Sequence, residues 1–92
     1  MLGISISDIT PEMARRLDLG GRTEGVYVGQ VNPNGAAEKA GIKAGDIIVE
    51  FNLNKLANSA ALQEQVNRLR PGEQAVVTVL RAGSQKEIIV SF

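Results

Sequence analysis

Apolar and small polar residues alternate along Leu2-Gly3-Ile4-Ser5-Ile6-Ser7, a period of two that predicts a half-buried strand. Ile4 and Ile6 fall on one face and Ser5 and Ser7 on the other. The pattern then changes. Thr10-Pro11 reads as a helix start, with Thr as the cap and Pro at the first helical position. A short helix follows through Met13, Ala14 and Leu17, and Gly20-Gly21 ends it. Gly25 to Val31 reads as a second strand, and Asn32-Pro33-Asn34-Gly35 as a turn. Ala36 to Ala40 is a short helix stopped by Gly41. After the turn Lys43-Ala44-Gly45-Asp46, the apolar run Ile47 to Phe51 reads as a buried strand.

The longest helix starts at Asn58 or Ser59 and is predicted to run to about Arg70. Leu62, Val66 and Leu69 fall at i, i+4 and i+7 and share one face. Pro71-Gly72 stops it. Val76-Val77-Thr78-Val79-Leu80 is strongly β-forming. The chain turns at Ala82-Gly83-Ser84 and returns as a strand from Glu87 to Phe92, so the last two strands form a hairpin. Strands interleaved with two short helices and one longer one predict a small α+β or mainly β domain, a partly open barrel of about five to six strands capped by two or three helices.

Composition narrows the chemistry. Ninety-two residues support one core and one domain, residues 1–92. Apolar residues are 43% of the chain and aromatics 3%, so the core is aliphatic. Ten basic and ten acidic side chains balance to zero net charge, which argues against nucleic acid, because neutralising phosphates needs a basic surface. Arg15, Arg16 and Arg22 form a small basic cluster that reads as solvated surface. No apolar run is long enough to cross a bilayer, so direct membrane insertion is not expected. Residues 1–20 lack a signal-peptide layout, since Asp8, Glu12, Arg15 and Arg16 interrupt any apolar stretch. Met1 reads as the start of a fragment of a longer protein.

The chain has no Cys and no His. That excludes a disulfide, a thiol nucleophile, a Ser-His-Asp triad and a His-based metal site. A Ser-Lys dyad using Lys39, Lys43, Lys55 or Lys86 stays formally open. The serines at 5, 7, 59, 84 and 91 nevertheless read as surface, turn and cap residues. No calcium loop or phosphate cradle is present. The expectation is a chain that is not itself an enzyme and uses no metal or cofactor.

The block Ala37-Glu38-Lys39-Ala40-Gly41-Ile42-Lys43-Ala44-Gly45-Asp46-Ile47-Ile48 closely resembles the A-x-x-A-G-[IL]-x-x-G-D-x-I signature of PDZ domains. Its glycines punctuate sharp turns, and Asp46 can bond turn amides just ahead of the buried strand. Gly25 to Ala37, Pro71-Gly72 and the segment ending Leu80-Arg81-Ala82-Gly83 fit the same pattern in order. The resemblance therefore covers essentially the whole chain. Leu2-Gly3-Ile4 stands at the very start and a strand closes the chain, as in the circularly permuted form of bacterial HtrA/Deg serine proteases. One departure is Asn52-Leu53-Asn54, where an Asn-Gly turn is usual.

The resemblance implies binding by strand addition, in which an extended peptide lies between a strand edge and a helix. It assigns the strand to Ile4, Ser5, Ile6 and Ser7 and the helix to Ser59–Arg70. The peptide carboxylate would meet the backbone amides of Leu2, Gly3 and Ile4. Its last side chain would enter a pocket of Leu2, Ile4, Ile6, Val66 and Leu69. Leu62 stands where many signalling PDZ domains carry His, so the third residue from the peptide's end is expected to be apolar or aromatic. Leu62, Val66 and Leu69 also read as plain core positions. Gly41, Gly45 and Asp46 read as structural.

The implied role is a module that captures apolar C-termini or extended segments of unfolded proteins and recruits them to, or regulates, an upstream HtrA/Deg-type protease domain. The implied setting is periplasmic or otherwise extracytoplasmic. A second reading, from a different class, is assembly, with the groove filled by a neighbouring segment. The apolar tail Ile89-Val90-Ser91-Phe92 would be one candidate for self-association, although an internal strand is its more ordinary fate. A third reading is the PDZ module of another protease class.

Overall fold

The opening alternation builds β1 (Ile4–Asp8), in which Ile4 and Ile6 are half-buried and Ser5 and Ser7 exposed. A computed structural model of the chain describes residues 3–16 and 24–92. After β1 come α1 (Pro11–Arg16), β2 (Val26–Val31), α2 (Ala36–Ala40), β3 (Ile47–Phe51), β4 (Asn54–Lys55), α3 (Ser59–Asn67), β5 (Gln74–Arg81) and β6 (Ser84–Ser91). The strands form one antiparallel sheet in the order β1-β2-β3-β5-β6, with β4 paired to β3. The sheet does not close, and three helices are described, which matches the expected α+β, partly open barrel.

The local chemistry follows the sequence in most places. Thr10 Oγ1 accepts from the Met13 amide, capping α1. Leu17, Gly20, Gly21 and Arg22 lie outside the described residues. Gly41 ends α2 at φ 100°, and its N–H donates to the Ala37 and Glu38 carbonyls. The Asn58 side chain caps α3 by accepting from the Ala61 amide.

The bounds of α3, β5 (Gln74–Arg81 against the expected Val76–Leu80) and β6 differ from expectation, and β4 is an added strand. α3 stops at Asn67 rather than near Arg70. The Arg68 and Leu69 amides bond back to Gln65 and Val66, a tightened final turn. Arg70 precedes Pro71 and so is disfavoured in helical geometry. β6 starts at Ser84 rather than Glu87, because Ala82 and Gly83 alone make the hairpin turn, at φ 51° and 80°. β4 was not anticipated. It forms because Asn52 and Leu53 adopt φ 50° and 69° and make a two-residue turn without the usual glycine. Asn52 also ties this turn to β5, donating its N–H to the Val76 carbonyl and accepting the Val76 N–H on Oδ1.

The sheet buries apolar side chains on both faces. The larger cluster includes Val26, Val28, Ile48, Phe51, Leu62, Val77, Val79 and Val90. Phe92 packs against it, with its ring 6.2 Å from that of Phe51. The smaller cluster joins Ile47 and Val49 of β3 to Ile9, just ahead of α1, and to Ala14 within it. Asp46, which is 2% exposed, anchors the entry into β3. Its carboxylate accepts from Arg81 Nε at 2.9 Å, Arg81 Nη2 at 2.7 Å and the Lys43 amide at 2.9 Å. The bond to Asp46 holds the Arg81 guanidinium above its ordinary pKa. Arg81 also reaches the Gly41 carbonyl, so one cation joins the end of α2 to β5.

Two stability measurements check this account. Asp46→Ala leaves the Lys43 amide and the guanidinium without their buried acceptor, and urea denaturation should show a loss of about 2–3 kcal/mol. Leu53 is 75% exposed, so replacing it gives up little burial. Leu53→Gly relieves the left-handed strain and should gain about 0.5–1 kcal/mol in the same assay.

Candidate functional site

β1 is an edge strand. Its inner edge pairs with β2, and no other described strand pairs with its outer edge. The Asn32 amide donates to the Gly3 carbonyl at 2.9 Å. Antiparallel alternation therefore turns the backbone groups of Ser5 and Ser7 toward β2 and those of Ile4 and Ile6 outward. A register shift between Ser5 and Ile6 falls where β2 carries one extra residue, Gly29. Because the extra residue is on β2, the alternation along β1 is preserved.

α3 lies beside this outer edge, and a groove of about 310 Å³ separates the two. Gly3, Ile4, Ile6, Leu62 and Val66 line it together with Asn32, Gln63 and Asn67. Leu62 is 1% exposed, so its side chain belongs to the core and supplies the groove floor. Val66 is half-buried against the same core. Ser5 and Ser7 belong to the strand but face away from the groove. Leu69 packs against the main core, two residues past the helix end, and is not among the residues that line the groove. Leu2 lies outside the described residues.

Gly3 shapes one end of the groove. It sits at φ +76°, and a Cβ there would stand 3.2 Å from the Gly35 Cα. Backbone packs on backbone at this point, and a side chain on residue 3 would push the end of β1 off the Asn32–Gly35 turn.

Asp8 stands at the other end of β1, beside the start of α3. Its Oδ1 accepts from the Ser59 amide and from Ser59 Oγ, both at 2.7 Å. The last residue of β1 is thereby bonded to the first residue of α3. The amide bond, reinforced by the hydroxyl, holds the Asp8 carboxyl below its ordinary pKa. Sequence reasoning missed Asp8, Asn32, Gln63, Asn67 and Ser59. Signals for some of them were present: Asp8 continues the Ile4, Ile6 period, and Gln63 and Asn67 each follow a groove-lining helix residue by one. Among the described residues no cluster of His, Cys, Asp or Glu is arranged to hold a metal, and no helix is long and apolar enough to cross a membrane.

The Asp8 bonds carry a pH signature. A depressed folded pKa contributes stability that is complete above the unfolded aspartate value and is lost as pH falls through the folded one. Asp8→Asn keeps an acceptor for Ser59 but removes the charge. The wild type should therefore be the more stable of the two above about pH 5, and the difference should shrink as pH drops below about 4. Paired thermal melts across that range measure it.

The geometry can be set beside known proteins. The PDZ domain family model matches residues 1–92. A probable periplasmic serine endoprotease DegP-like of Marinomonas sp. (strain MWYL1) is 38% identical over 91 residues, which is 99% of this chain and 19% of that protein. The periplasmic serine endoprotease DegP of Escherichia coli (strain K12) is 37% identical over 87 residues, 95% of this chain and 18% of the relative. The chain thus spans about a fifth of the length of these curated relatives. Among solved structures, the HtrA-type protease AlgW with a decapeptide superimposes at a TM-score of 0.88 with 32% identity, covering 99% of this chain and 28% of that one. The HtrA3 PDZ domain bound to the phage-derived ligand FGRWV gives a TM-score of 0.82 with 32% identity, covering 99% and 82%. With an open strand edge facing a helix across an apolar-floored groove, and with these matches over its whole length, the chain belongs to the PDZ domain family, in the form carried by HtrA/DegP-type serine endoproteases.

Proposed function

We propose that this domain captures the apolar C-terminus or an extended segment of a client polypeptide by strand addition, and so recruits substrate to, or regulates, an HtrA/Deg-type serine protease outside the cytoplasm. The observation that carries this reading is the outer edge of β1, which no other described strand pairs and which faces α3 across the groove. A peptide there continues the sheet. Its carboxylate meets the backbone amides at Leu2, Gly3 and Ile4, at the end of the groove that Gly3 lines. Its last side chain enters between Ile4, Ile6 and Val66, with Leu62 beneath. Two structural neighbours were solved with peptides, a decapeptide for AlgW and a pentapeptide for HtrA3, which supports the same use of this groove.

A few backbone hydrogen bonds at about 1 kcal/mol each and two buried apolar side chains at about 2 kcal/mol each set the scale. Ordering and association costs subtract from that sum, so binding should be about micromolar at best. The alternative in which the C-terminal tail fills a second copy's groove requires undoing β6. There Val90 is fully buried, and Phe92 exchanges backbone bonds with Gly72 and Glu73. That commitment favours the recruiting module.

The test is a screen of the 92-residue chain against peptides with free C-termini, with amidated copies as controls. Peptides ending in apolar residues should bind at micromolar concentrations and lose at least tenfold on amidation. Val66→Glu should weaken them comparably while the fold, followed by circular dichroism, is retained. Binding that is indifferent to amidation would refute carboxylate capture. Leu62→Ser is the poorer probe, because Leu62 is core.

A further inference from the structure

Side chains along β1 alternate, so Ile4, Ile6 and Asp8 lie on one face, the face that meets α3. The bond from Asp8 to Ser59 fixes that orientation independently, because it joins the side chain to the first residue of α3. β1 and α3 therefore bound a groove with two unlike ends. The Gly3 end is backbone and the Asp8 end carries a carboxylate.

This inference rests on the proposed strand addition. With its carboxylate at Gly3, a bound peptide runs antiparallel to β1 toward Asp8. Its last residue lies opposite Ile4, the third from the end opposite Ile6, and the fifth from the end opposite Asp8. Residues directly opposite in an antiparallel pair share a face, with Cβ atoms about 4.5–5.5 Å apart. We propose that Asp8 is a specificity residue of this groove, selecting a cationic side chain, Lys or Arg, at the fifth position from the peptide's C-terminus.

The geometry suits that role. Both Ser59 donors fall on Oδ1, so among the described residues Oδ2 keeps its acceptor capacity. The carboxylate cannot swing freely to follow other partners, because two short bonds hold it, so little ordering is left to pay when a cation arrives. Those same bonds hold its pKa down, keeping it charged through the neutral range. A Glu at the fifth position would face a like charge at the same distance, which is unfavourable. The contact is exposed to solvent, so its effect is modest and sensitive to salt.

The experiment measures affinities of the 92-residue chain for four peptides sharing one apolar, free C-terminal tetrapeptide: the tetrapeptide alone, and versions extended upstream by Lys, Gln or Glu. Lys should bind about threefold tighter than Gln, and Glu about threefold weaker. The spread should collapse at 1 M salt. In Asp8→Asn, which retains an acceptor for Ser59, the three extended peptides should converge when each is compared with the tetrapeptide measured on the same variant. A purely structural role for Asp8 would instead shift all four peptides together. An equal response to Lys, Gln and Glu in the wild type, or a spread that survives in Asp8→Asn, overturns the assignment while strand addition stands. Failure of the tetrapeptide and every extension to bind overturns both.

Discussion

Ile48 sits in the larger hydrophobic cluster while Ile47 and Val49 sit in the smaller one, so β3 is buried on both faces. A strand with no wet side has little choice of register, because a slip of one residue would exchange the two sets of side chains. β3 also pairs along both edges, with β2 and β4 on one path and β5 on another. Every other element is placed relative to it. The bidentate Arg81–Asp46 contact works at its entrance, where the chain leaves the Lys43–Gly45 turn, and holds α2, β3 and β5 in one arrangement. Among the described residues no buried side-chain polar atom lacks a partner, so this ionic contact sits in the core without a stranded group.

The groove hangs from that frame at one remove. β1 reaches the centre of the sheet only through β2, and α3 reaches it through Leu62. Edge strands in monomeric domains are usually protected, because their unpaired backbone groups invite pairing with other chains. Here the open edge is narrowed by α3 and bounded at one end by the Asp8–Ser59 bonds. Extended backbone can add to it, while the helix limits how broad a surface can approach. Under the proposed strand addition, the same feature that would be an aggregation hazard elsewhere serves as a selective site.

The helix face facing the groove carries two kinds of residue. Leu62 and Val66 are read by the core as well as by any peptide, so they cannot be changed without a stability penalty. Gln63 and Asn67 are exposed and line the same groove. They are the positions at which selectivity can vary at little expense to the fold. Asp8, at the far end of β1, differs from both kinds: it is exposed, yet its bonds to Ser59 also hold β1 to α3.

Much of this was legible in the amino-acid sequence. The period of two in Ile4–Ser7, the apolar run Ile47–Phe51 and the helical spacing of Leu62 and Val66 each encode which side of an element is buried. The Ala37–Ile48 block placed Gly41, Gly45 and Asp46 at the turns where they are found. Local pattern carries that information because backbone geometry fixes side-chain direction within an element. It does not carry distances between elements. That Arg81 closes on Asp46 across 35 positions, or that Asp8 meets Ser59 across 51, depends on how separate elements pack. The end of α3 at Asn67, which moves Leu69 from the groove to the core, was a matter of how the chain tightens before Pro71. The Asn52-Leu53 turn shows the same division. Propensity disfavours left-handed Leu, but pairing of β4 with β3 and the Asn52 bonds to Val76 impose it. Sequence alone determined all the elements but β4, with their buried faces, and the family. Tertiary packing decided which residues share the groove and what closes its ends, because those contacts form only when distant segments come together.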